Sequence, residues 1–105
     1  MGRLIVLVNS PYHLAPAEVE DWLHGQASAL AAVAGVQRVV LSRLASPSER
    51  SSTHWSWMIE LHCQAPDGAH RAVEDRAWKV ILGDLRLLGM QPSVALVAES
   101  AELKG

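Results

Sequence analysis

The residues at 4–8, Leu4-Ile5-Val6-Leu7-Val8, form an uninterrupted β-branched apolar run, the pattern of a strand buried on both faces. Asn9-Ser10-Pro11-Tyr12-His13 breaks that run with turn chemistry. Pro16 suits the first position of a helix, where its missing N–H costs nothing. Beyond it Val19, Trp22, Leu23, Ala27, Leu30, Val33 and Ala34 recur at helical spacing on one face, and Gly35 is placed to end the helix. A second strand is expected over 37–44, with Val39 and Leu41 on one side and Val40 on the other. The stretch 45–53 is polar, short-side-chained and contains Pro47, so it is expected to be a mobile loop. Residues 55–63 then alternate cleanly as a third strand. A second helix carries Ala69, Val73, Ala77, Val80 and Ile81 on one face, with an interruption expected at Gly83-Asp84. Pro92 opens a final strand over 94–98, before a polar tail.

Strand, helix, strand, strand, helix, strand is the order of the split βαβ, or ferredoxin-like, unit. The fold class expected is therefore α+β: a four-stranded antiparallel sheet with two helices on one face, as one domain over residues 1–105. Right-handed crossovers place both helices on the same side. The runs 4–8 and 94–98 do not alternate, so both faces of the sheet are expected to leave water. Two helices cover one face, and a second copy of the chain is the simplest cover for the other. A homodimer is expected.

Composition narrows the partners. The chain has 105 residues, half of them hydrophobic and 19% charged, with a formal net charge of −2. Its nine Lys and Arg are scattered, which argues against nucleic acid and against an anionic membrane surface. No run approaches the ~20 apolar residues of a membrane span, and the opening is too short for a signal peptide. One cysteine, Cys63, allows no internal disulfide, which suits the cytoplasm. The five histidines lack metal-ligand spacing, so no metal and no cofactor are expected.

The third strand carries the candidate chemistry. His54, Ser56, Met58, Glu60 and His62 share one face; Trp55, Trp57, Ile59, Leu61 and Cys63 share the other. In one reading the first set lines a pocket between sheet and helices, where Glu60 and His62 move protons. In the other, Glu60 pairs with Arg38 or Arg43 and the histidines are solvated. Asn9, Tyr12 and His13 form a second cluster at the exit of the first strand. His24 stands at i, i+4 from Glu20, as a surface ion pair or as an acid–base group. His70 falls nearer the buried face of the second helix and could reach the same pocket. The catalytic candidates are thus Glu60, His62, His13 and His24, and the binding candidates Asn9, Tyr12, His54, Ser56, Met58 and His70. There are four tryptophans and no phenylalanine. Trp22 reads as core, Trp78 falls off its helix stripe, and Cys63 reads as an inert buried thiol.

The element order with two-sided apolar strands resembles the dimeric α+β barrel superfamily over nearly the whole chain. Within it RLIVLVN, LSRL at 41–44 and HWSWMIELH at 54–62 look most like the RedY/HapK-like proteins of prodiginine-type pigment biosynthesis. The resemblance implies a small cytoplasmic protein with a pocket between helices and sheet, handling a flat aromatic or pyrrolic intermediate. It could assist a cofactor-independent proton transfer, condensation or cyclisation, or shelter the intermediate without catalysis. Other members are cofactor-free monooxygenases. In haem-degrading members an asparagine on the first strand and a histidine on the second helix serve the haem. Asn9 and His70 fill comparable elements, His70 earlier in its helix than that pattern has it.

Overall fold

A computed structural model describes residues 2–45 and 55–104. The elements run β1 Gly2–Val8, α1 Pro16–Gly25, α2 Ala27–Ala31, β2 Val36–Arg43, β3 Trp57–Cys63, α3 Gly68–Glu74, α4 Arg76–Leu87 and β4 Ser93–Val97. All neighbouring strands are antiparallel, in the order β2-β3-β1-β4. The ferredoxin-like topology expected from the pattern is present. His54 and residues 46–53 of the expected loop lie outside the described residues.

Each expected helix is two. Pro16 begins α1, and the Glu18 carboxylate accepts from the Ala15 N–H at 3.3 Å, binding the first turn back on itself. The chain steps at Gln26 into the short α2, and Gly35, at φ +82°, turns it into β2. The second break is at Asp75, whose extended backbone separates α3 from α4. The expected interruption at Gly83-Asp84 is absent. Nothing lies within 4 Å of where a Gly83 Cβ would stand, so this glycine is an ordinary helical residue on an open face. Asp75 caps α4 instead, its Oδ1 accepting from the Ala77 N–H at 2.8 Å. Its Oδ2 accepts from the Ala34 N–H at 3.2 Å, which ties the end of the first helical arm to the start of α4.

The core lies between helices and sheet. Leu4, Val6 and Val8 of β1 and Trp57, Ile59, Leu61 and Cys63 of β3 face Val19, Leu23 and Leu30 from one arm and Trp78, Ile81 and Leu85 from the other. Trp78, expected at the margin, is 1% exposed in this core, while Trp22, expected inside, is only partly buried against it. Gly68 closes the α3 corner: a Cβ there would stand 2.6 Å from the Cys63 Cβ, so helix and strand approach only because that atom is missing. β4 is the sheet edge beside β1, and its Val94 and Leu96 remain 38% exposed.

Candidate functional site

The helix-free face of the sheet is built in cross-strand rows. Register places Arg38, His62, Arg3 and Val97 in one row, Val40, Glu60, Ile5 and Ala95 in the next, and Ser42, Met58, Leu7 and Ser93 in the third. Glu60 sits near the middle with its side chain 13% exposed, its Oε2 3.2 Å from Arg3 Nη1 and 3.5 Å from His62 Nε2. Arg3 also donates to Ser100 Oγ at 3.2 Å. A depression of about 510 Å³ opens beside this cluster, lined by Arg3, Arg38, His62, Glu99 and Ser100. Two expectations are corrected here. Glu60 and His62 do not look between sheet and helices, because the alternate residues Trp57, Ile59 and Leu61 do. The partner of Glu60 is Arg3 on β1 rather than Arg38 or Arg43.

Between the first helical arm and the sheet lies a different space. Leu23, Ala27 and Leu30 from α1 and α2, and Val39, Leu41 and Ile59 from β2 and β3, wall a cavity of about 240 Å³. Among the described residues, His24 is the one ionisable residue on its lining. Its side chain is 65% exposed at the rim, with Nε2 3.8 Å from Glu20 Oε1. Glu20 is held from the other side, its Oε2 2.9 Å from Arg43 Nη2. The Arg43 guanidinium in turn lies over the Trp57 ring, 5.1 Å from its centroid. A histidine thus stands at the rim of an apolar slot, with a carboxylate 3.8 Å from it that is held by an arginine.

With this geometry the chain can be set beside solved structures. A cofactor-independent oxygenase from Streptomyces nogalater, SnoaB, is similar at a TM-score of 0.66 and 20% identity, over 99% of this chain and 97% of that one. HapK from Hahella chejuensis gives 0.59 and 11%, over 100% and 96%. A dimeric ferredoxin-like protein of unknown function from Thermobifida fusca gives 0.65 and 13%, over 93% and 90%. No protein-family model and no curated protein sequence matches the chain. The fold is ferredoxin-like α+β, the architecture these neighbours share with the chain.

The remaining candidates scatter over this ferredoxin-like frame. Asn9, Tyr12 and His13 come together at the exit of β1, with Gly89 and Gln91, around a hollow of about 310 Å³. Asn9 Nδ2 donates to Gln91 Oε1 at 3.1 Å, and Tyr12 is fully exposed. Ser56 accepts from the Ser10 N–H at 3.3 Å and fastens this exit to the start of β3. Met58 belongs to the helix-free face. His70 is exposed on α3, and neither it nor Asn9 lines the apolar cavity. That cavity is smaller than the roughly 300–1,000 Å³ of drug-sized sites, so these residues do not fit a haem held there. Cys63 is 1% exposed, and burial pushes its thiol pKa up, consistent with the inert thiol expected. Among the described residues no cluster of three or more His, Cys, Asp and Glu is placed to hold a metal ion. Among them, too, no helix is long and apolar enough to cross a membrane.

Sequence reasoning expected a pocket between helices and sheet and placed His24 among the candidates, but it gave that pocket the polar residues of β3 in place of the apolar lining found. Leu23, Leu30, Val39 and Leu41 read from the sequence as ordinary core stripes. It missed the Glu20–Arg43 bridge as well. The available signal was a cation at position 43, sharing strand parity with Val39 and Leu41, where an apolar residue would otherwise continue the core face.

Proposed function

We propose that this chain is a small protein of secondary metabolism that binds a flat apolar intermediate, aromatic or pyrrolic, in the cavity under α1 and α2. The observation that carries the reading is the cavity itself: opposed aliphatic walls from helix and sheet, with His24 at the rim. Such walls bury both faces of a planar ring system, at about 25 cal/mol for each Å² removed from water. His24 then meets whatever polar edge the ligand turns outward. An imidazole can both accept and donate a proton, and the Glu20 carboxylate stands 3.8 Å away, so this group suits a cofactor-independent proton transfer in a condensation or cyclisation. The likeness to SnoaB and HapK supports a place in antibiotic or pigment biosynthesis, the prodiginine type included. We place the protein in the cytoplasm as a homodimer, its helix-free face covered by a second copy. The apolar centre of that face (Ile5, Leu7, Val40 and Met58) and the dimeric structural neighbour support the pairing.

A second reading, a non-catalytic carrier, is favoured by one observation: Glu60 and His62 stand on the opposite side of the sheet, which leaves the cavity with a single ionisable residue. Two variants test the proposal and separate its forms. Ala27 is exposed at the cavity wall, so Ala27→Trp fills the space from outside; affinity for an aromatic probe such as 2-naphthol should fall at least about tenfold with the fold unchanged. Wild-type affinity in that variant would remove the cavity from the function. His24→Ala should keep binding and lose product formation by about 10²-fold if the protein is an enzyme. Binding without any product formation by the wild type would leave the carrier, and product formation unaffected by His24→Ala would remove His24 from the chemistry.

A further inference from the structure

The ligand cavity does not run the full length of the first helical arm. On the helix-facing side of the sheet, Leu41 opposite Ile59 is followed, two residues along each strand, by Arg43 opposite Trp57. At that step the gap between α1 and β2 is crossed by the Glu20–Arg43 bridge, 2.9 Å long. Beyond the bridge lies a second hollow of about 240 Å³, lined by Pro16, Arg43, Leu44 and Trp57 together with Ser10 and Ser56. The two hollows share no lining residue: His24 and Leu41 border the first, Arg43 and Trp57 the second, and strand register sets the ion pair at the step from one to the other.

Resting on the reading of the first compartment as the ligand site, we infer that the Glu20–Arg43 bridge is the specificity-determining element that limits the ligand to two fused or linked rings. An apolar cavity of about 150 Å³ takes a benzene ring. One of about 240 Å³ adds room for a second ring within its walls. A third ring has two directions open to it. Outward it stays in water past the rim and adds no affinity; along the slot it meets Arg43, which is fixed by Glu20 and by the Trp57 ring face. The polar requirement is as narrow, since among the described residues His24 is the one ionisable group on the lining, and the ligand needs a single hydroxyl or N–H edge. The bridge is a replaceable partition, because its side chains are 67% and 35% exposed and neither belongs to the buried core. Taking it away joins the compartments and uncovers Trp57 as a stacking surface for the third ring.

The experiment is equilibrium binding of phenol, 2-naphthol and 9-phenanthrol to the full chain, followed by calorimetry. In the wild type, 2-naphthol should bind roughly tenfold tighter than phenol, from the extra ring area buried, and 9-phenanthrol no tighter than 2-naphthol. In Arg43→Ala the third ring should become useful, with 9-phenanthrol roughly tenfold tighter than 2-naphthol. Glu20→Ala frees Arg43 to swing out and should shift the order the same way. It serves as the second variant should Arg43→Ala fail to give a cooperative melt. A wild-type protein that gains another tenfold on the third ring overturns the inference. So do bridge variants with the wild-type order of affinities. Both of these leave the cavity reading standing. If none of the three compounds binds the wild type, the cavity reading itself falls, and this inference with it.

Discussion

The two faces of the sheet are made by the same strands, residue by residue in alternation, and they solve different problems. On the helix side Leu4, Val6, Ile59 and Leu61 are dry within this chain. On the other side Ile5, Leu7, Val40 and Met58 stay half-buried among themselves around the Arg3–Glu60–His62 cluster. The first face is a finished core. The second has the apolar content of an interface and the polar content of a surface, with its one central carboxylate already paired. A strand apolar on both faces says that both are to be covered; only the packing says which cover the chain supplies itself.

One substitution on each face separates the two roles. Leu61→Ala opens a cavity in the finished core and should cost about 2–5 kcal/mol of folding stability, read by chemical denaturation. Leu7→Glu, on the opposite face in the row of Ser42, Met58 and Ser93, should leave each folded chain intact while weakening self-association. Sedimentation should show a dimer Kd raised at least about 100-fold, roughly 2.7 kcal/mol. A Leu7→Glu protein that still sediments as the wild type would mean that some other surface joins the copies, or that none does.

Glu60→Gln gives a smaller effect. It leaves Arg3 and His62 without their carboxylate, but both are partly solvated, so screening limits the loss to about 1 kcal/mol in the isolated chain. Product formation, if the protein has any, should not change, because Glu60 is across the sheet from the apolar cavity. A hundredfold loss of activity with stability kept would restore Glu60 to the site.

The smallest expected effect is a pH dependence from the finished core. Burial raises the Cys63 thiol pKa in the folded chain, so folding favours the protonated form. This contribution is complete below the ordinary thiol pKa of about 8.5 and is lost as pH rises above it. Melting temperatures at pH 8 and pH 10 should therefore fall more for the wild type than for Cys63→Ala. Equal falls in the two proteins would show that the thiol titrates alike whether folded or unfolded.

Much of the frame was readable because alternation is a hard constraint. The pairing of β3 residues into an Ile59–Leu61 set and a Glu60–His62 set follows from strand geometry alone. Which set faces the helices was not readable, because β1 is apolar on both sides and gives no tie-break. The break at Asp75 was hidden for a related reason. Glu74-Asp75-Arg76 carries no glycine or proline, and the cap becomes visible only when Asp75 is seen to serve Ala34 and Ala77 together. Glu20, read as a helix-surface neighbour of His24, gains its meaning from Arg43, 23 residues away. Local periodicity has no access to a contact of that kind.

The position of Asp75 has a consequence for how the molecule comes apart. One carboxylate accepts from two amides that belong to different supersecondary halves, at the end of the first helical arm and at the start of α4. The Ala77 bond lies within the α3–α4 corner and survives when the first arm lifts, whereas opening of that corner takes the acceptor from Ala34 as well. Loosening at the start of α4 is thereby passed to a segment far away along the chain, and not the reverse. Amide exchange should show this as an opening free energy at Ala34 no larger than that at Ala77.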